Sequence, residues 1–72
     1  MQKVTFSLDV HEYISLCDLL KFTGVVDSGG QAKMLIADGL VLRNGEVELR
    51  KTAKIRVTEQ IQIEDIVIDV VA

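Results

Sequence analysis

Between Asp27 and Gly45 the chain sets out a helix start, a helix stop and a two-residue turn in close succession. Ser28 can cap the helix that follows it, and Gly39 suits the left-handed position just past a helix end. Asn44-Gly45 is the strongest short hairpin signal a sequence carries. A helix that must end at Gly39 and a strand that must reverse at Asn44-Gly45 are held next to each other. Lys33 lies on the first, and Arg43, Arg50, Lys51 and Lys54 lie on or behind the second. A helix N-terminus beside a basic hairpin offers a surface to phosphate groups.

The flanking sequence supplies the rest of an α+β domain. Val4-Thr5-Phe6-Ser7-Leu8 alternates apolar and polar residues and predicts a short strand. Asp9 to Glu12 reads as a turn. Ser15-x-x-Asp18 resembles a capping box, so a helix is expected near Leu16, with Leu16, Cys17, Leu19 and Leu20 on one stripe and Gly24 as its stop. The second helix, about Gly30 to Asp38, turns Ala32, Leu35 and Ile36 inward. Leu40 to Arg43, Lys54 to Val57, Ile61 to Ile63 and Ile66 to Val71 are the expected strands, with Glu64-Asp65 turning between the last two. Helices of about two turns cannot stand alone in water. The expectation is therefore two short helices packed on a small, curled antiparallel sheet, in one domain spanning residues 1–72.

Composition narrows the function. A 49% hydrophobic fraction with 26% charged residues is that of a folded domain and not of a disordered tail. No apolar run reaches the roughly 20 residues that span a bilayer. The N-terminus has no signal-peptide pattern, and the single Cys17 can form no internal disulfide, so a cytosolic protein is expected. The net charge of −3 disfavours a polyanion ligand until its distribution is considered. Arg50, Lys51, Lys54 and Arg56 follow one another without an acid, whereas Glu59, Glu64, Asp65 and Asp69 occupy the remainder without a base. A chain polarised in this way can orient a charged ligand despite its overall sign.

Two groups of residues carry the binding expectation, each with a plainer alternative. Ser28, Gly29, Gly30 and Gln31 would present open backbone N–H groups to a phosphate; the plainer alternative is that Ser28 caps the helix and the glycines shape the turn. Lys33, Arg43, Asn44, Arg50, Lys51 and Lys54 would neutralise phosphates, or form a solvated edge that keeps strands of different molecules apart. Glu46 and Glu48 lie in the same hairpin and oppose an anion. Arg56 alternates with Ile55 and Val57 and can face away from the site. Lys21 complements the dipole at the end of the first helix. Phe6 and Phe22 are expected in the core, Tyr13 is unplaced, and Trp is absent. So few aromatics favour contacts to phosphate groups over stacking on exposed rings. Cys17 is expected as a buried apolar residue. With one His and one Cys there is no metal ligand set, and no P-loop, dinucleotide fingerprint or catalytic constellation is present. No cofactor, small-molecule substrate or enzymatic activity is expected.

Ile14 to Asp18, Leu19-Leu20-Lys21, Gly24, Ser28, Ala32-Lys33, Ile36, Gly39, Val41 and Asn44-Gly45 together resemble the alpha-L RNA-binding motif, named from the fourth protein of the small ribosomal subunit. The resemblance covers about Tyr13 to Val71 and is nearest to short bacterial stand-alone members, in which Ser-Gly-Gly-x-Ala-Lys replaces the usual Ser-Arg. It implies a non-catalytic module that binds structured RNA, with ribosomal RNA as the suggested partner; a monomer is expected. Gly29 stands where the wider family commonly has arginine, and Lys33 can take over that phosphate contact. The competing expectation is a protein-interaction adaptor that pairs through the apolar C-terminal strands.

Overall fold

A computed structural model describes all 72 residues. In chain order it contains β1 (Gln2–Ser7), β2 (Ile14–Ser15), α1 (Leu16–Phe22), α2 (Gly29–Ala37), β3 (Val41–Arg43), β4 (Glu46–Val47), β5 (Lys54–Ile55), β6 (Gln60–Ile63) and β7 (Ile66–Val71). Arg43 pairs with Glu46 across a two-residue loop in which Asn44 and Gly45 have φ of 52° and 89°. Positive φ at both central residues is what a right-twisted hairpin needs, and Asn followed by Gly adopts it at least cost. Gly39, at φ 77°, ends α2 in the same left-handed region.

Five strands form one sheet in the order β1-β7-β6-β3-β4, and β2 pairs with β5 in a separate two-stranded ladder. The helices share a cluster of 14 buried residues with the sheet. Leu16, Leu19, Leu20, Ala32 and Ile36 from the helices meet Val41, Ile61, Ile63, Ile68 and Val70 from the strands. A fully buried Leu or Ile side chain contributes about 1.5–3 kcal/mol, and this cluster is what holds two short helices in place.

The sheet departs from the expected antiparallel form in one ladder. β1 runs parallel to β7, with Gln2 opposite Ile66 and Ser7 opposite Val71. Alternation in Val4-Thr5-Phe6 fixes which face is inward but carries no information on direction. Parallel neighbours need a long crossover, and here the whole intervening chain supplies it. Because β7 lies between β1 and β6, its backbone is paired on both sides. The C-terminal strand therefore has no free edge, and the adaptor reading that relied on one is corrected.

Other differences are local. β5 ends at Ile55, and Val57 is exposed. Phe22 is largely exposed beneath Lys21, whose ammonium lies 5.5 Å from the ring centroid, so Phe22 is not a core residue. Phe6 and Cys17 are half-buried against the core. The Ser15–Asp18 capping box does not form, since Ser15 makes no side-chain cap. Its job is done by backbone: Leu16 N–H donates to Ala53 O at 2.9 Å and Cys17 N–H to Lys51 O at 3.0 Å.

Candidate nucleic-acid interface

Those two bonds position the basic segment. The carbonyls of Lys51 and Ala53 are fastened to the start of α1, and Ala53 is itself buried. Ala53 N–H also donates to Arg50 O at 3.1 Å, closing a turn. The backbone of residues 50–53 is thus anchored while the side chains of Arg50, Lys51 and Lys54 stay exposed. The same turn lies against α2. Gly30 and Lys33 line an open groove together with Met34, Leu49, Arg50 and Lys51. The structure therefore brings together the helix glycine, Lys33 and the two basic residues that the sequence placed on separate elements.

At the head of α2, Ser28 Oγ accepts from Gln31 N–H at 3.2 Å, and Gln31 Oε1 accepts from Asp27 N–H at 2.7 Å. This is a reciprocal cap of Ser-x-x-Gln spacing in which the glutamine reaches one residue beyond the cap itself. Gln31 is committed to that cap through both its amide and its side-chain oxygen. The amides of Gly29 and Gly30 have no partner in the protein, and neither glycine has a positive φ. A Cβ would meet nothing within 4 Å at Gly29, and only Ser28 Oγ at 3.8 Å at Gly30. The fold does not require glycine at either position. Two open N–H groups remain at the positive end of the helix dipole, beside the groove.

Arg43 and Asn44 have a different position from the one expected of phosphate contacts. Arg43 Nε donates to Glu59 Oε1 at 2.7 Å, Nη1 to Glu48 Oε1 at 3.1 Å, and Nη2 to Glu59 Oε2 at 3.0 Å and Lys54 O at 2.9 Å. Its side chain is only 23% exposed and Glu59's 17%. Asn44 Nδ2 donates to Glu59 Oε1 at 3.3 Å, and Asn44 Oδ1 accepts from Gln60 N–H at 2.9 Å. Both residues are occupied inside the protein, where they tie the hairpin to the loop before β6. Thr58, at φ 76°, is a β-branched residue in a strained region, and it immediately precedes Glu59.

The electrostatics follow from these bonds. Hydrogen bonding to Glu59 raises the Arg43 pKa, which favours the charged form against the cost of burial. The Arg50 side chain, then the Arg50 backbone N–H and Arg43, lower Glu48 to about 2 in spite of its burial. Burial disfavours the Glu59 charge, but hydrogen bonds from Arg43, the Arg56 N–H and Asn44 outweigh it and hold that carboxyl below its ordinary range. Glu48, which threatened to repel an anion, is thereby consumed by two arginines. Arg50 keeps a side chain 74% exposed even while its Nε donates to Glu48 at 3.2 Å. Lys33, Lys51 and Lys54 make no salt bridge.

Sequence reasoning missed Glu59, Glu48 as a partner and the Gln31 cap. The last was legible in the Ser28-x-x-Gln31 spacing. Glu59 lies 16 positions from Arg43, and no local pattern links them. No group of three or more His, Cys, Asp or Glu side chains could hold a metal ion, and no helix is long and apolar enough to cross a membrane.

An exposed helix start beside a tethered basic turn, next to an Asn-Gly hairpin, defines a class. The family model of the S4 domain matches residues 6–71, and the chain belongs to that family. Over 51 residues it is 55% identical to YbcJ of Escherichia coli K12, named as a candidate RNA-binding protein; the match covers 71% of this chain and 73% of that one. The YbcJ protein of Shigella flexneri, described as uncharacterized, matches with the same identity over the same length. The solution structure of E. coli YbcJ, described as revealing an alfaL motif involved in RNA binding, has a TM-score of 0.76 and 45% identity to this chain, covering 96% of it and 87% of the YbcJ chain.

Proposed function

We propose that this protein is a non-catalytic RNA-binding module that holds structured RNA through its phosphates. The observation that carries the reading is the groove shared by Gly30, Lys33, Arg50 and Lys51, with the open amides of Gly29 and Gly30 at its end. Phosphate oxygens accept from such amides and from lysine and arginine without regard to base sequence. Ser28 and Gln31 serve by shaping the helix start, Lys54 extends the basic edge, and Arg43 with Asn44 support the hairpin from behind. Membership of the S4 domain family and the RNA-binding description of YbcJ support the same reading.

Ribosomal RNA is the target class to test first, and a monomer in the cytosol is the form in which we expect it to act. The free sheet edges favour a monomer. β4 is two residues long, and β1 carries Gln2, Lys3, Thr5 and Ser7 among its six residues. Short polar edges of this kind resist edge-to-edge pairing.

The test is fluorescence anisotropy of a labelled ribosomal RNA stem-loop, titrated at several salt concentrations. Arg50→Ala combined with Lys51→Ala is expected to weaken binding to all structured RNAs to a similar degree. It should also reduce the slope of log K against log salt by up to about two. Equal affinity of the double variant and the wild type would contradict the reading.

A further inference from the structure

Tyr13 stands apart from the groove, in a cavity that Glu12 and Asp18 also line, yet two cations of the basic segment lie over its ring. In the β2–β5 ladder Ile14 faces Ile55 and Ser15 faces Lys54. Tyr13 and Arg56 are the residues that flank this ladder at its Ile14–Ile55 end. Lys54, on β5, and Arg56, just past its end, converge on its ring: Lys54 Nζ lies 5.1 Å and Arg56 Cζ 5.6 Å from the centroid. Both distances are within cation–π range. Tyr13 remains 43% exposed with both cations in place, and its hydroxyl makes no hydrogen bond within the protein. The arrangement is also continuous with the basic groove. Arg50 and Thr52 line the α2 groove on one side and, on the other, a second polar groove with Lys54 and Arg56.

An exposed aromatic ring flanked by cations matches the chemistry of a nucleotide. Bases stack on tyrosine rings and on guanidinium planes, while lysine pairs with the adjoining phosphate. We propose that Tyr13, with Arg56 and Lys54, receives one unpaired nucleotide flanking the structured RNA held in the α2 groove. This deepens the RNA reading and rests on it. With a single such platform, the protein would read the presence of an unpaired nucleotide beside a stem, and not a run of bases.

Tyr13 is the sole tyrosine and tryptophan is absent, so intrinsic fluorescence reports on this one ring. The experiment titrates the protein with two RNA stems that differ only in one bulged nucleotide, with free tyrosinamide as the absorption control. The wild type should bind the bulged stem more tightly and lose tyrosine emission on doing so. Tyr13→Leu should weaken binding to the bulged stem by about fivefold or more, the scale of one base–aromatic stack, and leave its salt slope unchanged. Tyr13→Phe should retain the preference. Equal wild-type affinity for the two stems, with unquenched emission, would overturn the proposal while leaving the phosphate-binding reading intact. Failure of the wild type to bind either stem would overturn both.

Discussion

Arg43 illustrates how a cation in a basic cluster can be structural. Its guanidinium joins β3 to Glu59, Glu48 and the Lys54 carbonyl, and little of it reaches solvent. Truncating Arg43 strips the half-buried Glu59 of its ion pair and leaves it the Arg56 N–H and Asn44 alone, a loss that costs more than the pair itself contributes. Arg43→Ala is therefore expected to destabilise the fold by about 1–3 kcal/mol, measured by urea unfolding. Lys51→Ala, by contrast, should leave stability unchanged and weaken RNA binding. Acid should act on the same cluster. Glu48 and Glu59 both have folded pKa values below their ordinary ones, so their contribution is complete above pH 4.5 and is lost as pH falls, for Glu48 through about 2. Replacing Glu48 by Gln should flatten that acid limb. A variant Arg43→Ala as stable as the wild type would show the cluster to be incidental.

At the scale of elements, α2 and its hairpin were largely legible in the sequence. Ser28 and Gly39 bound α2 to within a residue, and Asn44-Gly45 forms the turn its φ preferences demand. What local pattern could not show was set by partners distant in the chain. The Ser15 cap is displaced by carbonyls of Lys51 and Ala53, the direction of β1 is set by β7, and the charge on Arg43 is claimed by Glu59. Phe22 escaped the core because the buried stripe of α1 is already filled by Leu16, Leu19 and Leu20. The glycines at the start of α2 give a prediction of their own. A methyl group fits at Gly30, so Gly30→Ala should stabilise the helix by about 0.5 kcal/mol. The same methyl would crowd a phosphate approaching the open amides, so RNA affinity should fall. Thermal unfolding and anisotropy on this one variant separate the two effects. Unchanged affinity would show that the amides make no contact.

Across the whole molecule, charge segregates by region. The formal net charge is −3, yet the turn anchored to α1, the β5 strand and the residue after it carry Arg50, Lys51, Lys54 and Arg56 within seven positions. The acids most able to cancel them are folded inward: Glu48 and Glu59 are spent on Arg43, Arg50 and the backbone of the loop. The result is a basic face on an acidic protein, a distribution that selects ligands by orientation and responds steeply to salt. Contact between this face and structured RNA is read directly by an NMR titration of isotopically labelled protein with a ribosomal RNA stem-loop at two salt concentrations. Amide shifts are expected only at Gly29 to Lys33 and Leu49 to Arg56, with Tyr13 joining them when the RNA carries an unpaired nucleotide, all fading at high salt. An absence of shifts at low salt, or shifts centred on the acidic C-terminal strands, would contradict it.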